Sequence, residues 1–128
     1  MKSGATDWIA LLGRVLLSAI FLWAGYGKAM APSATMATFG HLGLPVPGLA
    51  YAVALAIEIG FGLLVLVGFK ARLSALVLAG WCIATALVAH DHPAVREQMI
   101  NFMKNVSMAG GFLQIVAFGP GRFSVDRT

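Results

Sequence analysis

Charged residues are scarce in this chain of 128 residues. Asp, Glu, Lys and Arg together make up 11% of it, whereas a soluble domain carries about 25%. Hydrophobic residues account for 59% of the sequence. This composition excludes an ordinary soluble globular domain and is typical of a protein that is embedded in lipid.

Cysteine is almost absent, since Cys82 is the only one. A single cysteine excludes an intrachain disulfide, and it cannot by itself hold an iron–sulfur cluster or a structural zinc ion. We interpret Cys82 as a small buried apolar residue. The sequence also lacks G-x-S-x-G, C-x-x-C and a phosphate-binding glycine loop. Hydrolase, thiol-redox and nucleotide-binding functions therefore have no support from motifs.

Long hydrophobic runs are present instead. Four of them reach the roughly 20 residues that a membrane span requires, at about residues 8–29, 49–69, 71–89 and 99–118. The connections are too short to fold alone, so we expect one domain over residues 1–128. We interpret the first run as a transmembrane helix and not as a signal peptide, because Arg14 interrupts it. The predicted fold class is all-α, an integral membrane antiparallel four-helix bundle.

The net charge is +4, and the basic residues flank the predicted spans. No basic stripe interleaved with aromatic residues occurs, so we expect contact with lipid headgroups and not with nucleic acid. Lysine and arginine number five on one side of the membrane and three on the other, which favours both termini in the cytoplasm. The two sets are Lys2, Lys70, Arg72, Arg122 and Arg127, and Lys28, Arg96 and Lys104.

Glu58 is the only charged residue within the run 49–69. A charge near the bilayer centre is costly, so it usually faces the interior of a bundle, has a partner and serves a function. We place Arg14 about 9 Å and Glu58 about 14 Å from opposite membrane surfaces, from a rise of about 1.5 Å per residue. These depths predict a buried Arg14–Glu58 ion pair.

A polar core is therefore expected, made of Arg14, Lys28, Glu58, His90, Asn101, Lys104 and Asn105. Two interpretations stay open. The core is either a fixed salt-bridge network that sets helix register, or a proton relay or a site for a small polar or quinone-like ligand. In the second case Glu58 is the candidate catalytic residue, as a proton acceptor or ligand anchor.

Histidines and tryptophans were weighed as cofactor ligands or pocket walls. His41, His90 and His92 could supply converging imidazoles, but the segment around His92 is more typical of a helix-ending turn, which disfavours haem or a metal. His90 fits better as a hydrogen-bonding member of the polar core. Trp8, Trp23 and Trp81 could wall a quinone pocket, although interfacial anchoring and bundle packing are their commoner roles.

Several segments together resemble the DoxX family of small membrane proteins. They are FLWAGYGKAMAP after Arg14, GLPVP, AIEIGFGLLVLVGFKARLSALVL, AHDH and FMKNVSMAGGFLQIVAFGPGRFSVDR. The resemblance implies a four-helix bundle in the bacterial inner membrane. It also implies that Arg14, Lys28, Glu58, His90, Lys104 and Asn105 match the polar pattern of the family. The family is associated with thiosulfate:quinone and quinol-oxidase-type subunits and with oxidative-stress systems.

The functional expectation is a membrane subunit or anchor of a redox-linked complex, with a protein partner and with a quinone or small polar ligand in the polar core. Whether the chain is itself an enzyme, and whether it forms a homo-oligomer, stays open. One alternative is a non-enzymatic scaffold or assembly factor whose buried charges are purely structural. A second is a small-molecule transporter, which four short helices without visible repeats make less favourable.

Overall fold

Helices account for most of the chain. A computed structural model describes residues 4–89 and 96–127. Within those ranges there is no β-strand, so the predicted all-α class is confirmed. The five helices are α1 (Gly4–Met30), α2 (Pro32–His41), α3 (Pro47–Val67), α4 (Ala71–Ala89) and α5 (Arg96–Phe118).

Three of these helices, α1, α3 and α4, are long and apolar enough to cross a membrane. They contain most of the first three hydrophobic runs that the sequence predicts. The fourth run, 99–118, lies within α5, which has 23 residues. That helix is not among those that combine sufficient length and hydropathy, because polar residues such as Asn101, Lys104 and Asn105 interrupt its first half. A fourth span therefore stays a prediction.

The buried face of α1 is narrow and partly polar. Its buried residues are Asp7, Arg14, Ser18, Phe21 and Gly25, which recur every three to seven positions and so share one side of a helix. The exposed side is large and apolar, with Trp8, Ile9, Leu12, Leu16 and Trp23 all more than half exposed. This pattern is the reverse of that in a water-soluble helix, and it suits a helix with lipid on one side.

Helix α1 approaches α3 closely at a glycine. A Cβ atom at Gly25 would lie 2.5 Å from Cγ1 of Ile59 and 3.4 Å from Cβ of Glu58. Small residues let membrane helices approach in this way, since lipid supplies no hydrophobic force between them. The level of Glu58 along the bundle is therefore set by Gly25. On the other side, α4 packs along α5 more extensively than any other two elements do.

The C-terminal segment 119–127 closes the end of the fold where α3 turns into α4. The backbone N–H groups of Val125 and Asp126 donate to the carbonyls of Val67 and Gly68, both at 2.9 Å. The carboxylate of Asp126 accepts from the backbone N–H groups of Lys70 and Ala71 at 2.9 and 2.7 Å. A residue distant in sequence therefore caps the first turn of α4, in the way that an N-cap side chain does.

We expect Gly25→Ala to destabilise the protein and Gly27→Ala, two positions away, to leave it unchanged. The first Cβ would overlap Ile59, and overpacking of this kind costs about 1–3 kcal/mol. The second would meet no atom within 4 Å. The measurement is the thermal unfolding midpoint of each variant in detergent. Equal midpoints for the two variants would contradict the close packing of α1 on α3.

Candidate functional site

Glu58 lies at the centre of a small polar cluster. It is only 4% exposed. One carboxylate oxygen, Oε1, accepts a hydrogen bond from Nζ of Lys28 at 2.9 Å, which is also a salt bridge. The other, Oε2, accepts from Nε1–H of Trp81 at 3.1 Å. Three helices, α1, α3 and α4, are thus joined at one carboxylate.

The backbone around Glu58 is unusual. Residues Ala56–Phe61 of α3 form a π-helical segment, in which the hydrogen bonds span one residue more than in an α-helix. Such segments occur as single turns within α-helices and are frequent at functional sites. The extra residue changes which face the following part of α3 presents. Glu58 is the only residue of this segment that is fully buried.

Lys28 lies in the last turn of α1, and its side chain is 26% exposed. Its carbonyl oxygen accepts a hydrogen bond from the hydroxyl of Tyr51 at 3.0 Å, which fastens the end of α1 to α3. A lysine ammonium carries three N–H donors, and Glu58 takes one of them. Two donors therefore remain without a partner among the residues that the structure describes.

A cavity of about 590 Å³ lies beside this cluster. Its walls come from all five helices and from the connection between α2 and α3, and most of the lining is apolar. The polar side chains at its surface are Lys28, Glu58, Trp81, Thr85 and Asn105. A volume of roughly 300–1,000 Å³, apolar walls and a few convergent polar groups are typical of a small-molecule site.

The remaining predicted site residues are distributed differently. Asn105 lines the cavity, and its Nδ2 donates to the carbonyl of Asn101 at 3.3 Å. Asn101 is partly buried, whereas Lys104 is exposed and does not line the cavity. His90 lies outside the described residues.

Arg14 does not reach Glu58, so the predicted ion pair between them is wrong. Glu58 is level with Gly25, which lies 11 positions beyond Arg14 on the same helix. At a rise of about 1.5 Å per residue that separation is about 16 Å, which is beyond the reach of the two side chains. The predicted depth of Glu58 was counted from the ends of the hydrophobic run 49–69. In the structure, the position of α3 along α1 follows from its contact with Gly25.

Arg14 binds backbone carbonyls instead. Its Nε donates to Pro120 at 2.9 Å, and Nη1 donates to Val65 and Leu66 at 3.0 and 2.6 Å. Nη2 donates to the carbonyl of Phe123. Arg14 is 2% exposed, and it supplies donors to carbonyls in the last turn of α3, of which Val65 also accepts from the N–H of Gly68 at 3.1 Å. The single polar core that the sequence predicts is therefore two separate clusters.

Trp81 is the site residue that sequence reasoning assigned to another role. We expected packing or interfacial anchoring, but its N–H donates to Glu58. The position of Trp81 in the sequence already indicates a buried hydrogen bond. Trp81 is the eleventh residue of the helix Ala71–Ala89, near the middle of a candidate span, where no membrane interface lies. An indole N–H at that depth requires an internal acceptor.

In the ranges 4–89 and 96–127, no three His, Cys, Asp or Glu side chains lie close enough together to hold a metal ion. The polar groups at the cavity suit hydrogen bonding to an organic ligand.

The model of the DoxX family matches residues 9–91 of the chain. The chain belongs to the DoxX family. The matched segment contains Arg14, Lys28, Glu58 and Trp81, so both polar clusters draw on it. With three helices that could span a membrane, this DoxX chain is a membrane protein.

Two relatives in Escherichia coli strain K12 cover most of the chain. It is 37% identical over 117 residues to inner membrane protein YqjF, which is 91% of this chain and 88% of YqjF. It is 36% identical over 124 residues to inner membrane protein YphA, which is 93% of this chain and 89% of YphA. No solved structure matches the chain.

We expect Arg14→Lys to loosen the C-terminal segment, because an ammonium cannot span the carbonyls that the guanidinium fork reaches. Each hydrogen bond to a charged group contributes about 1.5–3 kcal/mol. Trypsin should then cleave faster at Arg122, as followed by mass spectrometry. Arg72→Lys is the matched control, since Arg72 is exposed and donates at only 3.2 and 3.4 Å. Equal cleavage rates in both variants would contradict the role assigned to Arg14.

Proposed function

We propose that this DoxX protein is a subunit or anchor of a redox-linked complex in the bacterial inner membrane, and that its cavity holds a lipophilic ligand of the quinone kind. The observation that carries the ligand site is the apolar cavity that ends at the Lys28–Glu58 pair. The redox link is supported by the family resemblance, and the location by the names of the two Escherichia coli relatives.

The shape of the cavity supports a ligand with an apolar body and a small polar head. The apolar walls provide dispersion contacts, while Lys28 and Trp81 bond to Glu58 at the surface of the cavity. A small number of hydrogen-bonding groups in an apolar pocket is the usual way to orient such a molecule. Trp81 contributes an aromatic wall as well as its bond to Glu58.

We further propose that α5 is a fourth span, which completes an antiparallel four-helix bundle. Its 23 residues extend about 34 Å at 1.5 Å per residue, enough to cross the hydrocarbon core. Packing along α4 supports this arrangement. The end that bears Arg14 also carries exposed Lys70, Arg72, Arg122 and Arg127, so we place both termini in the cytoplasm.

A second candidate function is a scaffold with purely structural buried charges. The Arg14 cluster favours it, because every hydrogen bond that Arg14 donates ends on a backbone carbonyl. The cavity cluster does not fit it equally well, since the ammonium of Lys28 is partly exposed and has spare donors beside an empty volume. We therefore assign the structural role to the Arg14 end and the ligand to the other.

Purification of the tagged protein from its native membranes in mild detergent tests the complex. We expect a redox enzyme to copurify in fixed proportion to this chain, because a subunit or anchor holds its partner directly. The proteins present are identified by mass spectrometry, with an unrelated tagged membrane protein as the control. Recovery of the chain alone, with its own stability intact, would contradict the subunit role.

Filling the cavity tests the ligand site. We expect Ala24→Phe to displace lipophilic molecules that copurify with the protein, because Ala24 lines the cavity. Ala19→Phe is the matched control, since Ala19 lies on the exposed side of the same helix. Solvent extracts of the two variants and the parent protein are compared by mass spectrometry. A compound retained equally by all three would argue against occupation of the cavity.

A further inference from the structure

The charges at the cavity balance. Among the described residues that line it, only Lys28 and Glu58 carry full charges, and they bind each other at 2.9 Å. The net charge of these side chains is therefore zero. The other polar side chains of the lining, Trp81, Thr85 and Asn105, are uncharged, so none of them neutralises a charge that enters.

The two partners differ in how accessible they are. The side chain of Lys28 is 26% exposed, whereas that of Glu58 is 5% exposed and accepts one bond at each oxygen, from Lys28 and from Trp81. Among the residues that the structure describes, the ammonium of Lys28 donates only to Glu58, so two of its N–H groups remain. The more accessible partner is thus the donor, and the cluster suits a ligand head that accepts a hydrogen bond.

A charged head would disrupt the cluster. A carboxylate or phosphate would compete with Glu58 for Lys28 and leave one anion poorly compensated in an apolar space. An ammonium would compete with Lys28 for Glu58 in the same way. Removing one partner from a buried ion pair is strongly destabilising, because the remaining charge is not compensated. The closed pair therefore opposes both kinds of head.

We propose that the Lys28–Glu58 pair is the specificity determinant of this cavity, and that it selects a neutral amphiphile whose head accepts a hydrogen bond from Nζ of Lys28. The inference rests on the proposed ligand site, and it adds the charge and polarity of the ligand. It requires no particular redox chemistry or partner.

The test is a charge series with four proteins. The parent has a net charge of zero at the cavity, Glu58→Gln has +1, Lys28→Met has −1, and the double variant returns to zero. Glutamine keeps an oxygen that can accept from Trp81, and methionine keeps the length of the lysine stem. Size-exclusion chromatography and the thermal midpoint establish that each protein is folded.

Trp81 serves as the reporter of binding. Trp8 and Trp23 are 63% and 75% exposed, so we replace both by Phe in every protein of the series. The probes are three amphiphiles of equal chain length with a methyl ketone, carboxylate or ammonium head, each brominated on a chain carbon several bonds from the head so that the bromide is not activated for displacement. Each is added to the protein in lipid nanodiscs, and the bromine quenches Trp81 fluorescence when the probe lies in the cavity.

We expect the parent to bind the ketone at least tenfold more tightly than either charged probe. The preference should change to the carboxylate in Glu58→Gln and to the ammonium in Lys28→Met, and it should return to the ketone in the double variant. An identical order of preference in all four proteins would overturn the inference. Should Glu58→Gln fail to fold, the Lys28→Met arm still decides between these outcomes.

Ala24→Phe in the same background separates this inference from the proposed ligand site. If quenching by every probe is unaffected by the larger side chain, or if no probe quenches, the molecules do not enter the cavity and both proposals are wrong. If the larger side chain reduces quenching but the charge series does not alter the order of preference, the ligand site stands and the selection by the ion pair is wrong.

Discussion

A membrane helix has no water with which to satisfy its polar groups, and the guanidinium of Arg14 shows how this chain meets that requirement. One buried side chain on α1 binds carbonyls at the end of α3 and in the segment 119–127. Without it, the carbonyls of Leu66, Pro120 and Phe123 would lose a buried donor, and an unsatisfied buried acceptor costs about 1–3 kcal/mol. The attachment of the end of α3 to α1, and the return of the C-terminal segment, both depend on this residue.

The second polar cluster has a different character because its partners are side chains. Lys28, Glu58 and Trp81 come from three helices and meet beside a cavity. Arg14 donates to backbone carbonyls, whereas Lys28 donates to a side chain beside the cavity. Two lone charges in apolar runs thus have different kinds of partner, and only the contacts distinguish them.

The sequence predicts much of this structure, since runs of about 20 apolar residues are a local property of the chain. Membership of the DoxX family follows equally from ordered local motifs. The pairing of charges cannot be predicted in this way, because it depends on the axial position of one helix relative to another. The contact of Gly25 with Ile59 sets this axial position, and the π-helical segment alters it. Neither feature produces a periodic pattern in the sequence. Contacts of Asp126 with the start of α4 are also invisible, since they join residues 55 and 56 positions apart.

The partners of Arg14 also determine when the fold can be completed. Two of them, Pro120 and Phe123, follow it by 106 and 109 positions. A ribosome makes the chain from its N-terminus, so α1 leaves the ribosome with its arginine long before those carbonyls exist. The donors of Arg14 must rely on water, lipid headgroups or the end of α3 during that interval. The helices are consequently joined through Arg14 in full only after residues 120–123 have been synthesised.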